Sequence, residues 1–213
     1  MLNRRGKKRQ RKENYREAAP PKYLIICEGT ETEVNYFENI KRIINNRYRS
    51  KIIVKEILLY VEGLGRSTKV LVNEALKKRS FGDYSETWVV FDKDDNSDFD
   101  EAIKLAKDEG LEVAWSNECF ELWLLLHFQD LQSAITRDQY NDKLDAYFSG
   151  KYNKNIDDIF DITRDYVELA IKRSEKLIDN YKCKKVNSES LMNPCTTVQN
   201  LVKELLPYIE DKH

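Results

Sequence analysis

The chain of 213 residues contains no apolar run approaching the roughly 20 residues that a bilayer-spanning helix needs, and its basic start leads into no signal-peptide core. Both absences point to a cytoplasmic protein. Its four cysteines, Cys27, Cys119, Cys183 and Cys195, are too irregularly spaced for a disulfide framework or a Cys-x-x-Cys zinc clip, and read as reduced, mostly buried thiols. Only two histidines occur; His127 lies in an apolar segment and His213 at the end, so both read as structural or incidental. The glycines are few, and the one loop rich in them, Glu62-Gly63-Leu64-Gly65-Arg66-Ser67, fits neither the P-loop nor the dinucleotide fingerprint. It reads as a turn whose Arg66 is a candidate for touching a substrate phosphate. Internal repeats and low-complexity linkers are absent.

With 41% hydrophobic and 34% charged residues the composition is that of an ordinary globular protein with a highly charged surface. The near balance of 36 basic and 37 acidic side chains hides an uneven distribution. In the first seventeen residues Arg4, Arg5, Lys7, Lys8, Arg9, Arg11, Lys12 and Arg16 face only Glu13 and Glu17, with no apolar periodicity. Residues 1–20 therefore read as a basic flexible tail. Arg4, Arg5, Lys7, Lys8, Arg9, Arg11 and Lys12 are its candidates for salt-dependent, sequence-independent contact with nucleic acid.

Beyond the tail, strand and helix patterns alternate. Lys22–Cys27 is a continuous apolar strand, broken at Glu28-Gly29-Thr30 before an amphipathic helix from Thr32. Ile52–Tyr60 is a second strand, Ser67–Lys78 a helix capped by Ser67 or Thr68, and Thr87–Phe91 a third strand. A polar loop, Asp92–Ser97, leads to a helix over Phe99–Glu109 that ends at Gly110, and Leu111–Trp115 is a fourth strand. This alternation predicts an α/β fold, a parallel sheet of about four strands with flanking helices. From Glu118 the strands stop: Cys119–Phe128, Tyr140–Ala146, Tyr166–Tyr181 and Thr196–Ile209 read as helices. The expected organisation is an α/β domain over 21–130 and a helical extension over 131–213 packed on it.

Two of the predicted strands end in acids, at the edge of a parallel sheet where ligands bind. The first leads into Glu28 and, five residues on, Glu33; the third leads into Asp92-Lys93-Asp94-Asp95. In an extended segment Asp92 and Asp94 would share one face. Carboxylates so close repel unless a cation neutralises them, and an all-oxygen set favours Mg²⁺ or Mn²⁺ over zinc. Glu28, Asp92 and Asp94 are the candidate catalytic and metal-binding residues, with Glu33 and Asp95 as further metal ligands. Glu121, a carboxylate in the apolar run Phe120–Leu126, and Asn117 just before it are secondary candidates.

Four segments carry a resemblance. They are Ile26-Cys27-Glu28-Gly29 with Thr32-Glu33 and Tyr36-Phe37; Val90-Phe91-Asp92-Lys93-Asp94-Asp95; Ser116 to Phe128; and Asn193-Pro194-Cys195-Thr196-Thr197-Val198. Over residues 22–206 the chain resembles the RloB-like family of the Toprim fold, the fold of topoisomerases, primases and overcoming-lysogenization-defect nucleases. Glu118 departs from it, standing where the family pattern leads one to expect proline. The resemblance implies a Toprim centre in which Glu28 is the motif glutamate and Asp92 and Asp94 the Asp-x-Asp pair, binding one or two Mg²⁺ or Mn²⁺ ions. It implies a metal-dependent nuclease acting on DNA or RNA in antiphage defence, beside an ATPase partner protein. The alternatives are a catalytically silent subunit that binds nucleic acid or a partner on the same scaffold, and a primase-like phosphoryl-transfer enzyme.

Overall fold

The computed structural model describes residues 22–48, 58–61, 68–148 and 151–209. The element order is β1 (Tyr23–Cys27), α1 (Thr32–Tyr48), β2 (Leu58–Val61), α2 (Thr68–Arg79), β3 (Glu86–Asp92), α3 (Phe99–Asp108) and β4 (Glu112–Ser116). The helices α4 (Glu121–Phe128), α5 (Arg137–Leu144), α6 (Ile159–Thr163), α7 (Val167–Cys183) and α8 (Val198–Ile209) follow. The four strands form one parallel sheet in the order β2-β1-β3-β4. Helices cover both faces, so β1 is buried along its whole length and its sequence, YLIIC, is an unbroken apolar run instead of an alternating one.

Strand order fixes where a ligand can sit. The chain steps from β1 outward to β2, then crosses back past β1 to β3 and on to β4. Right-handed crossovers in opposite directions place α1 on one face of the sheet, with α6 and α8 against it, and α2 and α3 on the other. The loops after β1 and β3 therefore part to opposite faces and leave a crevice between the carboxyl ends of these two strands.

The free edge of β4 is closed by the segment before α8. The Thr197 N–H donates to the Trp115 carbonyl (2.8 Å), the Asn117 N–H donates to the Cys195 carbonyl (2.8 Å), and Ser116 pairs antiparallel with Thr196. The Trp115 N–H donates to the Thr197 hydroxyl (2.9 Å), so the Thr196-Thr197 pair satisfies edge groups that would otherwise be open to pairing with another chain. Buried residues before and after residue 130 belong to one hydrophobic core, in which α4 packs against α5 and α7, and α8 against β4 and α1.

Residues 49–57, with the predicted start of β2, and 62–67, with Arg66 and Ser67, lie outside the described residues, as does the basic tail. Elsewhere some boundaries differ from the sequence reading. At the start of α2, Asp98 accepts from the Thr68 hydroxyl (2.9 Å) and the Lys69 N–H (3.1 Å), so Thr68 is a donor here; the other expected cap, Ser67, lies outside the described residues. α5 begins at Arg137, three residues before the predicted start, because Thr136 and Gln139 form a reciprocal capping box. The short α6 was not anticipated.

α4 is buried over Glu121–His127 and leaves its last carbonyls to be satisfied from outside. Arg173 of α7 does this, its guanidinium donating to the Leu126 (2.7 Å) and His127 (2.8 Å) carbonyls. Charged hydrogen bonds of this kind contribute about 2 kcal/mol. Arg173→Ala is expected to lower the melting temperature by about 6 °C, and Arg173→Lys to lower it by less, as read by circular dichroism.

Candidate functional site

Glu28 leaves β1 still attached to the sheet, its N–H donating to the Val90 carbonyl (2.8 Å). Its carboxylate turns toward β3, accepting from the Asp92 N–H (3.3 Å) and the Asn96 side-chain amide (3.3 Å). Burial raises its pKa, while these two hydrogen bonds pull the other way. Asp92, the last residue of β3, accepts from the Phe120 N–H (3.1 Å) just before α4. Burial, and then Glu33, Glu121 and Glu28, push its pKa well above the carboxylate range.

Glu33 sits in the first turn of α1, only 8% exposed. Burial pushes its pKa up to about 7, with Glu121 and Glu28 adding to the rise and its own N–H and Lys154 opposing it. Gly29 is what lets Glu33 come so close to the β1–α1 turn, since a Cβ there would stand 2.6 Å from a Glu33 carboxylate oxygen. Glu121, at the start of α4 and 2% exposed, lies behind these acids. It accepts from the Tyr152 hydroxyl (3.1 Å), which in turn meets Thr32 Oγ1 (3.3 Å), and faces the Lys154 ammonium at 3.9 Å.

Asp94 does not occupy the extended position inferred from the Asp-x-Asp spacing. β3 ends at Asp92, and Asp94 has φ +36°, a left-handed turn in which the two-residue periodicity no longer holds. Its carboxylate nevertheless reaches the same cleft, where Arg137 faces it at 3.4 Å. Asp95 is exposed and outside the cleft lining; Asn96, which the sequence reading passed over, reaches Glu28 instead. Asn117 is buried with its amide donating to the Ser190 (3.0 Å) and Glu189 (3.4 Å) carbonyls, so it pins a distant turn and does not face the acids. Glu118 has φ +80°, a conformation closed to the proline ring, so the departure at this position goes with a loop that proline could not form.

Glu28, Glu31, Glu33, Asp92 and Asp94 line one cleft of about 320 Å³, together with Gly29, Thr30, Thr32, Arg137 and Lys154. Arg137 and Lys154 come from polar segments with no periodic signal, and the one cue to either in the sequence is the capping box before Arg137. A larger cavity of about 590 Å³ lies between α7, α8 and β4. Two of its lysines are already paired with its own acids, Lys107 with Glu189 (3.1 Å) and Lys182 with Asp179 (3.5 Å), which leaves the smaller cleft as the place where like charges are crowded.

Among the described residues, no three His, Cys, Asp or Glu side chains converge as arranged into a cage for one ion. Glu28, Asp92 and Asp94 share an edge and a cleft, but each is turned onto a protein partner. The donor set itself is all oxygen and suits a hard divalent cation, whose charge would relieve the repulsion that burial and crowding impose.

Fold and cleft together define an α/β protein with an acidic site at the switch point of a parallel sheet. The chain belongs to the RloB-like protein family, whose model matches residues 23–205. Searches of curated proteins and of solved structures return no match. Among the described residues no helix is long and apolar enough to cross a membrane.

The raised pKa of Glu33 makes stability depend on pH. A carboxyl that binds its proton more tightly when folded stabilises the fold at low pH, and that contribution is lost as pH rises through about 7. Buried His127, lowered to about 4 from an ordinary 6.5, acts oppositely only below 6.5. Between pH 6.5 and about 8 the metal-free melting temperature is therefore expected to fall by about 2–4 °C. Glu33→Gln should reduce that slope, to which Asp92 contributes with the same sign; a wild-type profile already flat across this window would contradict the assignment.

Proposed function

We propose that this protein is a Toprim-type nuclease that uses Mg²⁺ or Mn²⁺ to cut DNA or RNA, acting in the cytoplasm in antiphage defence with an ATPase partner protein. The observation that carries this reading is the gathering of Glu28, Glu33, Asp92 and Asp94 in one cleft between the carboxyl ends of β1 and β3. Membership of the RloB-like family supports it. One or two bound ions would supply polarisation of a phosphodiester and activation of water.

The chain's own groups would do the rest. Asp92 and Asp94 would hold ions from the β3 side and Glu33 from the α1 side. Glu28, its proton affinity raised by burial, serves as an acid or base for the water and the departing sugar oxygen. Hydrolysis forms one phosphorus–oxygen bond to water and breaks one to the sugar; water loses a proton and the sugar oxygen gains one. The basic tail, Arg4 to Lys12, would add sequence-independent attraction for the strand.

One observation favours a second reading, a catalytically silent subunit that binds nucleic acid or a partner: each of Glu28, Asp92 and Asp94 already has a protein donor. The assay that separates them incubates purified protein and Mg²⁺ or Mn²⁺ with single-stranded DNA, duplex DNA and transfer RNA. Wild type is expected to cut at least one, and Glu28→Gln, Asp92→Asn and Asp94→Asn to lose at least about a hundredfold in rate, the scale of a lost acid–base group. The Asn variants should keep metal-free melting unchanged or slightly raised, because they remove repulsion. Binding without cutting, under every metal and substrate, would establish the silent subunit.

A further inference from the structure

Among the described residues, Arg137 and Lys154 are the two basic ones lining the acidic cleft. Both are held loosely. The Arg137 guanidinium is 3.4 Å from Asp94 and 3.5 Å from the Glu118 carbonyl, at the long limit for N–H···O bonds. The Lys154 ammonium stands 3.9 Å from Glu121, beyond hydrogen-bond reach. By comparison, Arg173 is held on the α4 carbonyls at 2.7 and 2.8 Å and Lys203 on Glu175 at 2.8 Å. The side chains of Arg137 and Lys154 are 36% and 42% exposed, enough to meet a ligand.

Their backbones, by contrast, are fixed. Arg137 follows the Thr136 capping box at the start of α5. Near Lys154, the Tyr152 N–H donates to Asp145 (2.6 Å), the Tyr152 hydroxyl reaches Glu121, and the Lys154 carbonyl accepts from the Asn35 amide (3.3 Å). Arg137 stands beside Asp94, and Lys154 beside Glu121 and Glu33.

We propose that Arg137 and Lys154 are a phosphate-gripping pair that holds the sugar–phosphate backbone of a nucleic-acid strand across the acidic cleft. The inference deepens the nuclease reading and rests on it. A polyanion cannot approach five carboxylates unless positive charge meets it. Ions on the acids would also free Arg137 from Asp94, and its planar fork matches two non-bridging phosphate oxygens, while the Lys154 ammonium supplies a point charge. Phosphate contacts carry no sequence information, so the pair should act alike on every sequence.

The test measures binding of a fluorescein-labelled, mixed-sequence strand of about 20 nucleotides, DNA and RNA in turn, with Ca²⁺ in place of Mg²⁺ and over a range of salt. Arg137→Ala and Lys154→Ala are each expected to weaken binding about three- to tenfold and to lower the salt slope by about one. Arg137→Lys and Lys154→Arg, which keep the charge, should restore most of the affinity, and Mn²⁺ binding should be undiminished in all four. Arg137→Gln stands in if the alanine variant melts early. Wild type that binds Mn²⁺ and the strand, with affinity unchanged in the alanine and Gln variants, overturns the pair and leaves the nuclease reading standing. Wild type that binds neither overturns both.

Discussion

Like-charge crowding in a half-buried cleft is the constraint on which the rest of this structure turns. The reversal of strand order between β1 and β3 brings the acids that follow these strands to one place. Burial raises the proton affinity of Glu28, Glu33 and Asp92, and for each of them neighbouring carboxylates add to it. A fold selected for stability alone would not keep five carboxylates around one small cleft with Glu121 behind them. The crowding makes chemical sense if positive charge arrives from outside.

Much of the surrounding architecture holds these acids in place. Gly29 leaves room for the Glu33 carboxylate, Asn96 and the Asp92 N–H orient Glu28, and the Phe120 N–H orients Asp92. That last contact ties the site to α4, which Arg173 secures from α7. The Asn193 to Val198 segment works from the opposite edge, closing β4 through Thr196 and Thr197. The helical part of the chain therefore belongs to the site: it positions Asp92 and contributes Arg137 and Lys154.

The parts of this arrangement that were legible in the sequence are those set by burial. A strand covered on both faces must be apolar throughout, so β1, β3 and β4 stood out, and the acids that end β1 and β3 stood out with them. What depended on long-range hydrogen bonding was not legible. Asn117, adjacent to β4, gave no sign that its amide serves carbonyls more than seventy residues away. The left-handed turn at Asp94 broke the alternation from which its direction was inferred. Lys154, in a polar segment, has no periodic neighbour to betray it, and the capping box that places Arg137 is visible only once Thr136 and Gln139 are read as a pair.

The central claim is that the crowded carboxylates exist to hold divalent cations. Anomalous diffraction from crystals grown with Mn²⁺ tests it most directly. The account predicts one or two manganese peaks in the cleft, with Asp92 and at least one of Glu28, Glu33 and Asp94 as ligands, and Glu28 or Asp94 released from its present protein partner. An empty cleft at saturating Mn²⁺, with the hydrogen bonds from Asp92 and Asn96 to Glu28 intact, would contradict it.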